Sequence, residues 1–217
     1  MNLLIMGAPG AGKGTMSNLI IQNYEVIHIS TGDMLRQAIK EGTAVGLKAK
    51  EYMDYGNLVP DSIIHDIIVE RFSKDDMKKG FLLDGYPRTL EQAKDLDEIL
   101  ESLDMKLDQV INLNVDEEVL VKRITGRRSC PNCKAIYNIY YMPPKQENTC
   151  DKCGGELALR KDDTAESLKI RLDAYHTLTQ PILEYYKEKD IVSEIKGSDR
   201  PIEQIFDSIK DVLEGLK

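Results

Sequence analysis

The feature that most constrains this chain is the run Gly7-Ala8-Pro9-Gly10-Ala11-Gly12-Lys13-Gly14-Thr15. It follows the apolar stretch Leu3 to Met6 directly and opens an apolar-periodic stretch that continues through Ile21. A glycine-rich turn between a strand and a helix lets backbone N–H groups point inward. The helix N-terminus adds positive potential, and a lysine at its start brings a mobile charge to the outer phosphates. Gly10, Ala11, Gly12, Lys13, Gly14 and Thr15 therefore read as a nest for a nucleoside triphosphate. The plain alternative, a flexible glycine turn, is disfavoured because spacing, strand context and lysine agree. The general pattern places Ser or Thr directly after the lysine as a magnesium ligand, whereas Gly14 stands there and Thr15 follows. Magnesium is therefore expected on phosphate oxygens and waters, not on a loop hydroxyl.

Such a loop requires an α/β fold, and the rest of the chain supplies one. Short apolar runs at Leu3 to Met6, Val26 to Ile29, Phe81 to Leu83, Val110 to Val115 and Ile191 to Ile195 alternate with helix-periodic stretches. This predicts a five-stranded parallel sheet flanked by helices. Pro201 to Leu216 reads as a last amphipathic helix begun by proline. Two segments break the rhythm and are expected to be inserted flaps, residues 30–59 and 127–163. Residues 1–29, 60–126 and 164–217 are then the core. A net charge of −8, from 29 Lys+Arg against 37 Asp+Glu, argues against nucleic acid or an acidic membrane as partner. Met1 to Met6 has no basic flank and meets Gly7 and Pro9 before a signal core forms, and nothing approaches a membrane span. A cytoplasmic chain is expected.

The cysteines stand as Cys130-x-x-Cys133 and, after sixteen residues (134–149), Cys150-x-x-Cys153. Two such knuckles make a closed tetrahedral zinc site with a structural role. Disulfides or a redox dithiol are the alternative, disfavoured by a reducing cytosol. A nucleic-acid-binding zinc ribbon is disfavoured by the acidic chain. Arg127, Arg128, Lys134 and Lys152 flank the knuckles and would offset a four-thiolate cluster. His28, inside an apolar run, reads as a hydrogen-bonded core residue, and the pairs Tyr140/Tyr141 and Tyr185/Tyr186 read as packing.

Three further strings follow the loop in order: STGDMLR at Ser30 to Arg36, DGYPRT at Asp84 to Thr89, and GRR at Gly126 to Arg128. With the loop and the cysteines they resemble the adenylate kinases, in the long bacterial form whose lid carries zinc, over essentially the whole chain. The resemblance implies phosphoryl transfer from ATP to AMP with magnesium, giving two ADP, by a monomer. It implies that Lys13, Asp84, Arg88, Arg127, Arg160 and Arg171 act on the transferring phosphate, with Asp84 holding metal-bound waters. On the ATP side it adds Arg123 on the adenine, Ile136 and Tyr137 offering backbone, and Arg200 near the adenine edge. On the AMP side it adds Thr31, Arg36, Asn57, Leu58, Val59, Gly85, Tyr86, Pro87 and Gln92, together with Arg88, Arg160 and Arg171. Gln92 is expected one helical turn past Arg88 on the same face. An ordinary helical ion pair on a solvated surface is the plainer, disfavoured alternative for Asp33 and Arg36. A UMP or CMP kinase and a nucleotide-switched binding protein are the competing readings; Thr31 favours AMP, and no guanine-reading N-K-x-D string occurs.

Overall fold

Residues with apolar side chains alternate their facing along each strand, and this sorts the interior into two layers around one sheet. The computed structural model describes residues 1–198 and 200–216. Its sheet strands are β1 (Asn2–Gly7), β2 (Ile27–Ser30), β3 (Phe81–Asp84), β4 (Gln109–Asn114) and β7 (Val192–Lys196), all parallel in the order β2-β3-β1-β4-β7. All five strands expected from the apolar runs are present, each within a residue or so of its expected place. The helices are α1 (Lys13–Asn23), α2 (Thr31–Glu41), α3 (Ala44–Met53), α4 (Asp61–Phe72), α5 (Leu90–Ser102), α6 (Glu117–Thr125), α7 (Ala165–Ala174), α8 (Pro181–Lys187) and α9 (Ile202–Glu214). Pro201 stands as the residue before α9, where a missing N–H costs nothing.

Leu4, Met6, Leu83 and Val110 face one way and pack with α4, α5 and α8 through Ile68, Leu96 and Tyr186. Leu3, Ile5, Leu82 and Ile111 face the other way, onto α1, α6 and α9 through Ile20, Leu120 and Ile209. Apolar residues on both faces explain why the strands are continuous apolar runs. The chain passes from β1 to β2 on one side of β1 and later crosses from β3 to β4 on the other, and at this change of direction the carboxyl ends of β1, β3 and β4 open the crevice where such sheets hold ligands.

Two parts lie outside this sheet. Helices α2 and α3 pack against each other, each entered through a hydroxyl cap: Ser30 Oγ accepts from Asp33 N and Thr43 Oγ1 accepts from Gly46 N. The second part is an antiparallel pair, β5 (Arg127–Ser129) and β6 (Ile136–Asn138), extended by bridges between Ser129 and Ala158 and between Thr149 and Glu156. Among the described residues no helix is long and apolar enough to cross a membrane.

Candidate active site

The loop after β1 takes the shape its glycines permit. Gly7, Gly10 and Gly12 hold φ of 143°, 88° and 100°. A side chain at Gly10 would also sit 3.0 Å from Ile124 Cγ1, so glycine serves both backbone and space there. Lys13 Nζ donates to Gly7 O at 2.7 Å and to Ala8 O at 3.2 Å, arching back over the loop. Burial lowers its pKa to about 8; Asp84 opposes the shift, and Arg88, Arg171 and Arg127 add to it.

Those same cations recur wherever one member of the group is considered. Desolvation and repulsion from Arg171 bring Arg88 down to about 10. Desolvation, then Arg36 and Arg127, bring Arg160 to about 10. Arg171 is lowered by desolvation, with Asp162 opposing. Lys13, Arg36, Arg88, Arg127, Arg160 and Arg171, scattered through the sequence, therefore share one electrostatic neighbourhood. Carboxylates hold several of them in place. Arg127 binds Asp163 through Nε at 2.8 Å and through a second, shorter contact, and the Asp163 side chain is 0% exposed. Arg171 meets Asp162 at 3.0 Å, and Arg36 meets Asp33 at 2.7 Å. The Asp33–Arg36 helical pair thus exists, while Arg36 also faces the cleft. Arg88 Nε donates to Gly85 O, and Thr31 Oγ1 donates to the same carbonyl at 2.9 Å. Gly85 has φ of 86°, and a side chain there would lie 3.0 Å from Thr31 Oγ1.

Two cavities meet over this group. The larger, about 810 Å³, is lined by residues 9–16, Asp84, Arg123, Arg127, Ile136, Tyr137, Arg160 and Arg200. The smaller, about 70 Å³, is lined by Thr31, Asn57, Leu58, Val59 and Gln92 and floored by Leu35, Met53 and Ile64. Arg36, Gly85, Arg88 and Arg171 line both. Arg123 donates to Ala11 O at 3.2 Å and Gly197 O at 2.8 Å, with the Tyr141 ring centroid 5.9 Å away. Arg200 donates to Lys196 O, Gln204 O and Ser208 Oγ, so its head is turned toward α9.

Several expectations need correction. His28 is not a hydrogen-bonded core residue: it lines the larger cavity, its Nε2 is buried without a hydrogen-bond partner, and Asp84 Oδ2 is 3.8 Å away. Gln92 shares no helical face with Arg88, because Arg88 precedes α5. Instead the Gln92 side chain reaches back, accepting from Arg88 N at 2.7 Å and donating to Asp61 Oδ1 at 2.5 Å, with Thr89 capping the helix. Tyr86 and Pro87 line neither cavity; Tyr86 is 1% exposed, in the core beneath, with its hydroxyl donating to Gln92 O. Tyr140 and Tyr141 are exposed and lie outside the core, unlike the fully buried Tyr186; their rings cover Gly126 and Arg123 at the surface. Residues that no motif signals also line the site: Leu35, Met53 and Ile64 under the smaller cavity, and Asn138 and Met142 beside the larger. Their only signal is an ordinary apolar or polar side chain, which sequence alone cannot place.

The residues present fit the two implied metals differently. All four cysteines are free thiols whose sulfurs lie within 4.8 Å of one another, the pairs Cys130–Cys153 and Cys133–Cys150 being 3.4 Å apart. A tetrahedral zinc with Zn–S bonds of about 2.3 Å requires sulfur–sulfur edges of about 3.8 Å, and a disulfide requires about 2.05 Å; the four sulfurs fit the ion. The knuckles match in backbone as well: Lys134 N donates to Cys130 O and Gly154 N to Cys150 O, with φ of 63° and 71°. For magnesium the donor is Asp84, whose single ion-pair contact among the described residues is the 3.8 Å approach of His28. Its carboxylate is open to metal-bound water.

A family model described as adenylate kinase matches residues 5–191. The adenylate kinase of a Geobacillus species is 52% identical over 217 residues, the full length of both chains. That of Archaeoglobus fulgidus is 50% identical over 217 residues, again the whole of both. That of Desulfitobacterium hafniense is 53% identical over 214 residues, 99% of this chain and 98% of the relative. With the family model matching most of the chain and relatives about half identical over its full length, the chain belongs to the adenylate kinase family.

Proposed function

We infer that this protein transfers the terminal phosphoryl group of ATP to AMP, reversibly, giving two ADP. The observation that carries the reading is the pair of cavities joined at Arg36, Arg88 and Arg171, with Lys13 and Arg127 on the side of the larger one. A triphosphate seated on the glycine loop and a monophosphate entering beside Gln92 would bring their phosphates to the same cations. The acceptor phosphate, with a second pKa of about 6, is already largely ionised at neutral pH, so no side chain has to remove a proton from it. What remains is to align two anions and to stabilise charge spread over the transferring group, which fixed cations do best.

Each residue then has a task. Lys13 exchanges its hold on Gly7 O and Ala8 O for phosphate oxygens. Asp162 and Asp163 keep Arg171 and Arg127 extended toward the junction, so little order is lost on binding. Arg88, fixed by Gly85 O, presents its fork to the acceptor phosphate. Thr31, Leu35, Met53, Val59 and Ile64 enclose the acceptor base, and Arg123 meets the donor base. Magnesium, when bound, neutralises part of the phosphate charge, and Asp84 would hold it through water. Zinc would be held by Cys130, Cys133, Cys150 and Cys153 as a structural staple.

The smaller cavity, at about 70 Å³, is far below the roughly 300 Å³ at which small-molecule pockets begin. Residues 30–59 must therefore move to admit the acceptor, and we propose them and residues 127–163 as the two closing flaps on a core of 1–29, 60–126 and 164–217. We further propose a cytoplasmic monomer that engages neither nucleic acid nor membrane. One chain supplies every cation of the site, free thiols suit a reducing compartment, and the net charge of −8 repels polyanions. A coupled assay of ADP formation with AMP, UMP, CMP and GMP tests the reading. Activity is expected with AMP far above the others; a pyrimidine preference would shift the assignment to a UMP or CMP kinase, and no activity with any acceptor would favour a nucleotide-switched binding protein.

A further inference from the structure

The strand β6 is three residues long, and each residue goes somewhere different. Ile136 reaches the phosphate loop, its Cδ1 lying 3.2 Å from where a side chain on Gly14 would begin. Asn138 donates through Nδ2 to Arg123 O at 2.9 Å, and its Oδ1 accepts from Tyr140 N and Tyr141 N. Tyr137 lies between them, and its ring is buried at 6% exposure in a small cluster with Cys130, Ala135, Cys150 and Leu157. Its Oη accepts from Asp151 N at 2.8 Å and lies 3.5 Å from Cys150 Sγ.

The direction of that last contact follows from the partners. A backbone N–H can only donate, so Asp151 N occupies a lone pair of the phenol oxygen and leaves the phenol hydrogen to be given away. A cysteine bound to a metal is a thiolate and has no hydrogen of its own. Tyr137 therefore donates to Cys150 Sγ while being oriented by the residue that follows Cys150. Partners of this kind, one bond beyond the metal, fix ligand orientation and tune affinity.

We propose that Tyr137 is a positioning residue that ties the four-cysteine metal centre to the roof of the larger cleft: its hydroxyl orients Cys150, and its main chain, held in β6 opposite Arg128, carries Ile136 over the phosphate loop and Asn138 to Arg123. The link has no redundant path through β6, because Ile136 and Asn138 flank Tyr137 and only Tyr137 turns inward to the sulfurs. Loss of the hydroxyl loosens the metal and the donor-nucleotide roof together. The second half rests on the assignment of the larger cleft to ATP; the first half does not.

The test uses the full-length zinc-loaded protein and Tyr137→Phe, which removes one oxygen and keeps the ring. Zinc affinity is measured by competition with a colorimetric chelator, and the cobalt-substituted proteins are compared by thiolate-to-metal absorption. The expected result is zinc bound about 10-fold to 100-fold more weakly, a shift in the cobalt bands, and a KM for ATP that rises more than the KM for AMP. Zinc affinity within twofold of the parent protein with unchanged cobalt bands would overturn the proposal. So would weakened zinc with both KM values moving equally, which would mean a loosened lid without a specific link. Loss of the whole far-ultraviolet circular dichroism signal would also overturn it, because an oxygen acting only through the metal centre leaves the sheet core folded. Failure of the parent protein to form ADP would instead refute the ATP assignment and leave the metal result standing.

Discussion

Lys13 shows what the cleft asks of one residue. Its ammonium sits among like charges, and burial lowers its pKa to about 8, with Asp84 as the opposing charge. A lysine is cationic below its pKa, so in the free enzyme the charge that receives a triphosphate is present at neutral pH and is lost as pH rises through about 8. Bound phosphates favour the cation and raise that pKa. The expected profile between roughly pH 6 and 10 is a kcat/KM for ATP that falls on the alkaline side from about pH 8, while kcat holds to higher pH. Steady-state kinetics across that range decide it; parallel falls of both quantities at one pH would show that Lys13 is not the group titrating. Lys13→Met removes the charge at every pH and should lower kcat by about 10²- to 10³-fold, the scale of losing one donor to a developing charge. A variant with unchanged turnover would remove Lys13 from the chemistry.

At the scale of elements, the entry to α5 joins the acceptor side of the site to the helix layer. Thr89 Oγ1 accepts from Gln92 N and donates to Asp61 Oδ2 at the start of α4, and Gln92 then bridges Arg88 N and Asp61 Oδ1. One hydroxyl therefore caps a helix and aligns the residues around the smaller cavity. Thr89→Ala should cost about 1 kcal/mol through the lost cap, lowering the thermal midpoint by about 2–4 °C in a chain of this size. It should also raise the KM for AMP more than that for ATP, and Thr89→Ser should restore both. Calorimetry and kinetics on the two variants check this, and an alanine variant with native melting and native KM would show that neighbouring contacts hold α5 without the cap. The strands were legible from their apolar runs because a strand buried on both faces needs apolar residues at every position. The relation of Gln92 to Arg88 was not, because Arg88 lies in the loop before Thr89 caps α5, and it is reached by the Gln92 side chain bending back.

Across the whole molecule, the two large apolar layers belong to the sheet and its helices, while residues 127–163 own only the cluster of Cys130, Ala135, Tyr137, Cys150 and Leu157. Two of those five, Cys130 and Cys150, belong to the four cysteines proposed to hold zinc. A cluster of that size cannot offset the conformational entropy of the segment that carries it, so metal binding must supply the difference. Removing zinc with a strong chelator should therefore lower the thermal midpoint and speed hydrogen exchange across residues 127–163, while the amides of β1, β3 and β4 keep their protection. Differential scanning calorimetry with exchange mass spectrometry reads both. Identical melting with and without metal would end the structural-staple reading. The molecule is acidic overall yet gathers six cations at one junction, so its positive potential is concentrated at the cleft.

The sequence alone determined what depends on neighbours along the chain: the glycine loop with its lysine, the alternation of strands and helices, and the pairing of two cysteine knuckles. Each is a local pattern whose chemistry is complete within a few residues. Tertiary structure decided everything that depends on convergence. Arg36, Arg88, Arg127, Arg160 and Arg171 become one group only when three elements and two loops fold to the same sheet edge, and no spacing among them encodes that distance. His28 turned from core to cleft because β2 lies at the edge of the sheet, where one side chain in the apolar run faces the open crevice. Tyr137 faces sulfur and not solvent for the same reason: a hairpin's register, set by pairing with Arg128, chooses which side of a three-residue strand meets the metal.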